Sequence, residues 1–120
     1  MNRIGNYLMK FEKWSDDKWL SKNGTILPYD KLEHFFLGAL GLLIFIYLLS
    51  LSLIVSLVIL ESLGIAWEIK DGLIPYDKEG NVEGFSWKDL IADNAGFLIG
   101  YLFTKLFSIN HYLKSMEYNL

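Results

Sequence analysis

The residues able to do chemistry fall into three short groups. Asp30 and His34 stand four positions apart, Glu68 and Asp71 three, Asp89 and Asp93 four. On a helix each of these spacings puts the pair on one face. Glycines extend the same faces: Gly38 and Gly41 beyond His34, Gly64 before Glu68, Gly96 and Gly100 beyond Asp93. If the three faces meet, five carboxylates and one imidazole converge. Converging acids need compensation, from Lys31, Lys70 and Lys88 or from a bound cation. An oxygen-rich set with one imidazole suits Mg²⁺, Mn²⁺, Ca²⁺ or Zn²⁺. The candidate ligands are Asp30, His34, Glu68, Asp71, Asp89 and Asp93, and no other cofactor is expected. Glu68 and Asp93 are the candidate catalytic bases. The plainer alternative has these acids simply flanking helix ends, where an N-terminus favours Asp electrostatically.

The elements that must position these residues are helices in a membrane. The chain has 120 residues, 52% of them hydrophobic, and no charged residue occurs from Phe35 to Leu60. A soluble helix is apolar on one face only; this run is apolar all round, as a membrane span is. From His34 to Asp71 it is nearly twice the length needed to cross a ~30 Å hydrocarbon core at about 1.5 Å per residue. It is therefore divided into a hairpin, with the turn at its least apolar point, Ser50-Leu51-Ser52. The spans run over about His34–Leu49 and Leu53–Lys70. A polar loop follows from Asp71 to Gly84. Ser86 is placed to cap a third span, about Trp87–Phe107, with Asp89 at the capping-box position. Gly96-x-x-x-Gly100 on that span is the small-residue spacing that lets helices approach closely in lipid.

The expected fold is thus all-α: an integral membrane bundle of about three transmembrane helices, preceded by an amphipathic N-terminal helix. That helix rests on Ile4, Tyr7, Leu8, Phe11 and Trp14 at helical spacing. It either lies in the interface plane or packs on the rest of the protein. The organisation is residues 1–27 as interfacial helix and linker, 28–107 as the transmembrane domain and 108–120 as a C-terminal tail. Glu61 stands apart as an intramembrane carboxylate in the middle of the second span, a costly position unless it is paired, hydrated or neutral. Pro-Tyr-Asp-Lys occurs at Pro28–Lys31 and again at Pro75–Lys78, with flanks that do not repeat.

Composition excludes several classes. The chain has no cysteine, so disulfides, thiolate metal sites and cysteine nucleophiles are absent. The first thirty residues hold Glu12, Asp16 and Asp17 and no continuous apolar stretch, which argues against a cleaved signal peptide. A net charge of -3 argues against nucleic-acid binding. Arg3 is the only arginine, which weakens any phosphate site. Lysines are concentrated in the N-terminal segment and near the polar loop. The positive-inside bias then makes both cytoplasmic in a bacterial-type inner membrane that the chain crosses several times.

Three motifs resemble those of the YfiM-like lipoprotein family (DUF2279): Asp30-Lys31-x-x-His34-Phe35, Ser62-Leu63-Gly64-x-x-x-Glu68-x-x-Asp71, and Gly84-Phe85-Ser86-Trp87-Lys88-Asp89-Leu90-x-x-Asp93-x-x-Gly96. The resemblance covers about Asp30 to Tyr101. The first box and the Asp-rich ending of the third are also similar to VanZ-like membrane proteins, which are linked to glycopeptide resistance and the cell envelope. The resemblance implies an envelope protein whose matched polar residues are those named above, without implying a reaction. Relatives of the YfiM type carry a lipoprotein cysteine that this chain lacks.

Three functions follow as expectations. The first is a binding or assembly factor, in which the acids form a buried network locking the helices. The second is a cation-dependent hydrolase or transferase acting on a lipid-linked phosphate of the envelope. The third is a small transporter or proton channel built on Glu61, which would require a homo-oligomer. Membrane lipid is a partner in all three.

Overall fold

The computed structural model describes residues 9–22, 24–78 and 81–119. Its architecture is helical. Helix α1 spans Asp30–Leu43 and runs on into a π-helical turn at Ile44–Leu48, α2 spans Leu53–Leu73, and α3 spans Trp87–Tyr118. A small antiparallel hairpin, β1 (Tyr76–Lys78) and β2 (Asn81–Glu83), joins α2 to α3.

The hairpin turn between α1 and α2 falls where the apolar run weakens. Leu49 N–H donates to Ile44 O across a widened turn. Ser50 then takes a left-handed backbone conformation with φ 55°, unusual for a residue with a side chain. Ser52 starts α2 by accepting a hydrogen bond from Val55 N–H through its hydroxyl. Helix α3 starts in the same way: Ser86 Oγ accepts from Asp89 N–H at 3.1 Å. At the head of α1 no side chain caps the helix. The Glu33 carboxylate reaches back to receive the N–H groups of Thr25, Ile26 and Leu27, holding the preceding loop against the helix.

Helix α1 packs against the N-terminal half of α3, where the buried residues of α3 lie, while α2 meets each of them less extensively. Glycine makes the α1–α3 approach possible. A Cβ added to Gly96 would lie 2.1 Å from Phe35 O, and one on Gly38 would lie 2.5 Å from Asp93 O. Buried near these contacts are Ala39, Ala92 and Phe97, with Leu42 a turn further on against Gly100.

Two helical segments, Asp30–Leu48 and Trp87–Tyr118, are long and apolar enough to cross a membrane. Only 22% and 28% of their apolar windows are buried inside the molecule. They therefore turn most of their apolar surface outward, unlike the core helices of a soluble domain. Helix α2 is also apolar, yet carries Glu61, Glu68, Lys70 and Asp71.

Three expectations are corrected. Residues 9–22 are not helical; the remainder of the expected N-terminal helix, with Ile4, Tyr7 and Leu8, lies outside the described residues. Backbone pairing across the chain overrides the helical spacing there. Lys10 N–H donates to Gly72 O at 2.8 Å, Glu12 N–H to Phe85 O and Phe85 N–H to Lys10 O, both at 2.9 Å, so that Phe11 and Phe85 form a parallel bridge. Second, α2 runs three residues past Lys70, and the polar loop after it contains the hairpin. Third, α3 does not stop at Phe107 but continues as one helix to Tyr118, since no glycine or proline follows Gly100 to break it. The two Pro-Tyr-Asp-Lys copies enter different structures, a helix and a strand.

Candidate functional site

At the end of the bundle where α1 and α3 begin and α2 ends, the polar residues gather. His34, Glu68 and Asp89 each place one ligand-type atom within 4.8 Å of the other two. Each comes from a different helix, and the register of each is set by a local feature already described. Ser86 fixes the first turn of α3 and hence Asp89 and Asp93. The hold of Glu33 on residues 25–27 ties the first turn of α1 to the loop before it, and with that turn Asp30, Lys31 and His34.

The imidazole of His34 lies between two carboxylates of α3. Its Nδ1 is 2.8 Å from Asp93 Oδ1 and its Nε2 is 3.5 Å from Asp89 Oδ2. The first is a hydrogen bond; the second is too long for one. Glu68 is wholly buried. Its Oε2 accepts from Ser86 N–H at 2.9 Å, while its Oε1 has no hydrogen-bond partner among the described residues.

Beside this trio lies a second, lysine-centred half of the cluster. Lys31, only 5% exposed, brings its ammonium to Asp17, to Asp30 Oδ2 at 2.9 Å and to Asp89 Oδ1 at 3.0 Å. Ser21 Oγ donates to Asp30 Oδ1 at 2.6 Å. Ser86 Oγ donates to Asp17 Oδ2, so one buried serine touches the N-terminal segment, α2 and α3. Lys88, also buried, donates to the carbonyls of Trp14 and Asp17 and lies over the Trp14 and Trp19 rings at 4.5 and 5.2 Å.

The expected site residues therefore divide. His34, Glu68 and Asp89 meet; Asp93 touches His34; Asp30 lies on the other side of Lys31. Asp71 pairs with Lys70 at 2.9 Å. Glu61 lies apart, accepting a hydrogen bond from Asn94 Nδ2 at 2.9 Å. Lys31 supplies the compensating charge expected of it; Asp17 and Ser86 belong to the cluster as firmly as any of these, and nothing in their spacing announces it. The available signal was compositional: lysines set next to acids in an otherwise apolar chain, and buried charges need partners.

All four tryptophans of the chain belong to the same segments. Trp14 and Trp19 contact Lys88, Trp67 precedes Glu68 and lies under Lys70 at 3.7 Å, and Trp87 follows Ser86. All four are exposed.

Electrostatically the site is a set of acids with unequal shares of positive charge. Asp17, Asp30 and one oxygen of Asp89 share Lys31, and Asp71 has Lys70. Among the described residues, Glu68 has no ammonium at hydrogen-bond distance. Chemically, the arrangement can hold three helices together, hold a cation, or carry a proton between His34 and Asp93. Comparison with protein-family models, with curated proteins and with solved structures finds no match to this chain.

Proposed function

We propose that this protein is a small multi-pass membrane protein of the bacterial-type cell envelope, of YfiM-like or VanZ-like kind, acting as a binding or assembly factor through its polar cluster. The observation that carries this reading is the convergence itself: a single buried network joins the N-terminal segment, α1 and α3 through ion pairs and α2 through the Ser86 N–H to Glu68 hydrogen bond, all at one end. Charge buried at such cost, in so small a chain, is more than packing requires.

Placement in a membrane rests on the outward-facing apolar surface of α1 and α3. It is supported by the exposed tryptophans around the cluster, which suit the headgroup region. In this reading α2 is a third crossing. The cluster, the N-terminal segment and the hairpin then face the cytoplasm in the inner membrane, and the C-terminus lies on the far side. Single cysteines at Asn81 and Asn119 test this by labelling in intact cells and in inverted vesicles. Each position should label from one side only, and from opposite sides. Labelling of both from the same side would overturn the three-crossing topology.

A second reading has one observation in its favour, the His34–Asp93 pair, which is the orientation an acid–base histidine requires. It makes the protein a hydrolase or transferase acting on a lipid-linked phosphate. The two readings separate on purified protein mixed with a lipid-linked diphosphate in detergent micelles. Phosphate release that is lost in Asp93→Asn would establish the enzyme. No release, together with loss of helix association in cluster variants, supports the assembly factor.

A further inference from the structure

We propose that His34 Nε2, Glu68 and Asp89 Oδ2 bind one divalent cation of the zinc or manganese class, with Asp93 as the residue that orients His34. The inference deepens the reading of the cluster as a binding site and concerns its ligand. Three independent features point to a cation.

The first is the spacing. His34 Nε2 and Asp89 Oδ2 are 3.5 Å apart, too far for a hydrogen bond. Adjacent ligands of an ion bound at about 2.0–2.2 Å in tetrahedral geometry are ~3.4 Å apart. One ligand-type atom from each of the three residues lies within 4.8 Å of the other two, so the widest pair would close by at most about 1.4 Å to reach that separation on one ion.

The second is the state of the histidine. Its Nδ1 is engaged by Asp93 at 2.8 Å, which directs the other nitrogen into the cluster. A carboxylate holding the far nitrogen of a metal-bound imidazole is the common supporting arrangement, since it fixes the ring and raises its basicity.

The third is Glu68. It is a wholly buried carboxylate with one oxygen on Ser86 N–H and the other without a hydrogen-bond partner among the described residues. A buried carboxylate oxygen costs free energy unless something positive or donating meets it. Lys31 does not reach it: that ammonium is already shared among Asp17, Asp30 and Asp89. A cation between Glu68, Asp89 and His34 would satisfy all three at once. One imidazole and two carboxylates favour Zn²⁺ or Mn²⁺ over Ca²⁺ and Mg²⁺, which prefer oxygen ligands alone. Three protein ligands leave a coordination position for water or a partner group.

The test uses the full chain purified in detergent, stripped with chelator, and dialysed against Zn²⁺ or Mn²⁺ in turn, with bound metal measured by elemental analysis. About one equivalent per chain is expected for at least one of the two ions, with a rise in melting temperature on adding it. Glu68→Gln should weaken binding by at least ~100-fold. Asp93→Asn, which leaves all three ligands in place, should weaken it by about 10–100-fold. Glu61→Gln, outside the cluster, should leave it unchanged. If Glu68→Gln fails to fold, the parent's stoichiometry and the Asp93→Asn shift decide the matter. A folded parent that binds neither ion, or equal affinity in Asp93→Asn and the parent, would overturn the proposal. Loss of stability in cluster variants of a parent that binds no ion would leave the assembly reading standing and remove the cation from it.

Discussion

Ser86 N–H donates to Glu68 Oε2 at 2.9 Å, and this bond changes what the start of α3 can do. In a full capping box the residue at the third helical position would return a hydrogen bond to the cap's own N–H. Here Glu68 of α2 takes that N–H, so the Asp89 carboxylate is released to face Lys31 and His34. A local motif has been opened to make a tertiary site.

Because of this, Ser86 should behave unlike an ordinary cap. Ser86→Ala loses both the acceptor for Asp89 N–H and the donor to Asp17, and should cost about 1–3 kcal/mol. A simple N-cap is nearly rescued by glycine, at a cost of only a few tenths of a kcal/mol. Ser86→Gly should instead remain clearly destabilised, though less than Ser86→Ala, because the Asp17 bond is lost in both. Thermal unfolding in detergent measures the two. A near-native Ser86→Gly would mean that the Asp17 contact contributes little.

Gly96 and Gly100 on the α1–α3 seam, with Gly41 against α2, give a graded series. A Cβ at Gly96 would come within 2.1 Å of a backbone oxygen, one at Gly100 within 3.0 Å, and one at Gly41 would meet only the Leu60 side chain at 3.3 Å. Backbone cannot yield without moving the helix, whereas a leucine tip can. Alanine at the three positions should destabilise in the order Gly96, Gly100, Gly41, and leucine at Gly96 or Gly100 should separate the helices. Equal melting temperatures across the series would argue against close packing at this seam.

How much of this was legible in the sequence depended on whether the signal was local. The turn at Ser50–Ser52, the cap at Ser86 and the facing pairs on each helix follow from spacing and from the chemistry of serine at helix ends. The meeting of His34, Glu68 and Asp89 followed from three faces sharing one end. The N-terminal segment did not yield to the same reasoning. Phe11 and Trp14 keep helical spacing, but Phe11 is drawn into a bridge with Phe85 and Trp14 is turned towards Lys88. Asp17 reaches the cluster only because that segment folds over the helix ends, and no periodicity records a contact between residues so far apart in the chain.

Glu61 provides a test between functions. Its carboxylate accepts from Asn94 Nδ2, a contact that a glutamine carbonyl can reproduce. Glu61→Gln should therefore keep the melting temperature within a degree or two, and Glu61→Leu should cost about 0.6–1.7 kcal/mol, the range of hydrogen bonds between membrane helices. A proton channel built on Glu61 would lose transport in Glu61→Gln while remaining folded. Proton flux into vesicles that is present in the parent and absent in this variant would favour the transporter reading over the assembly factor.

Lys31 carries the largest expected cost. Its ammonium is shared by Asp17, Asp30 and Asp89, and it is almost fully buried, so its removal leaves three carboxylates facing one another. Lys31→Met should destabilise by about 3–5 kcal/mol, the usual penalty for stranding buried charge. Most of that is repulsion and desolvation among the acids, not loss of the lysine's own packing. Removing one acid as well should therefore recover part of it. Asp17→Asn is the suitable second change, because an amide oxygen can still accept the Ser86 hydroxyl. The double variant should be more stable than the two single costs predict by roughly 1 kcal/mol or more. If the costs instead add, the three acids are not coupled through Lys31, and the cluster is a row of separate pairs without a shared centre.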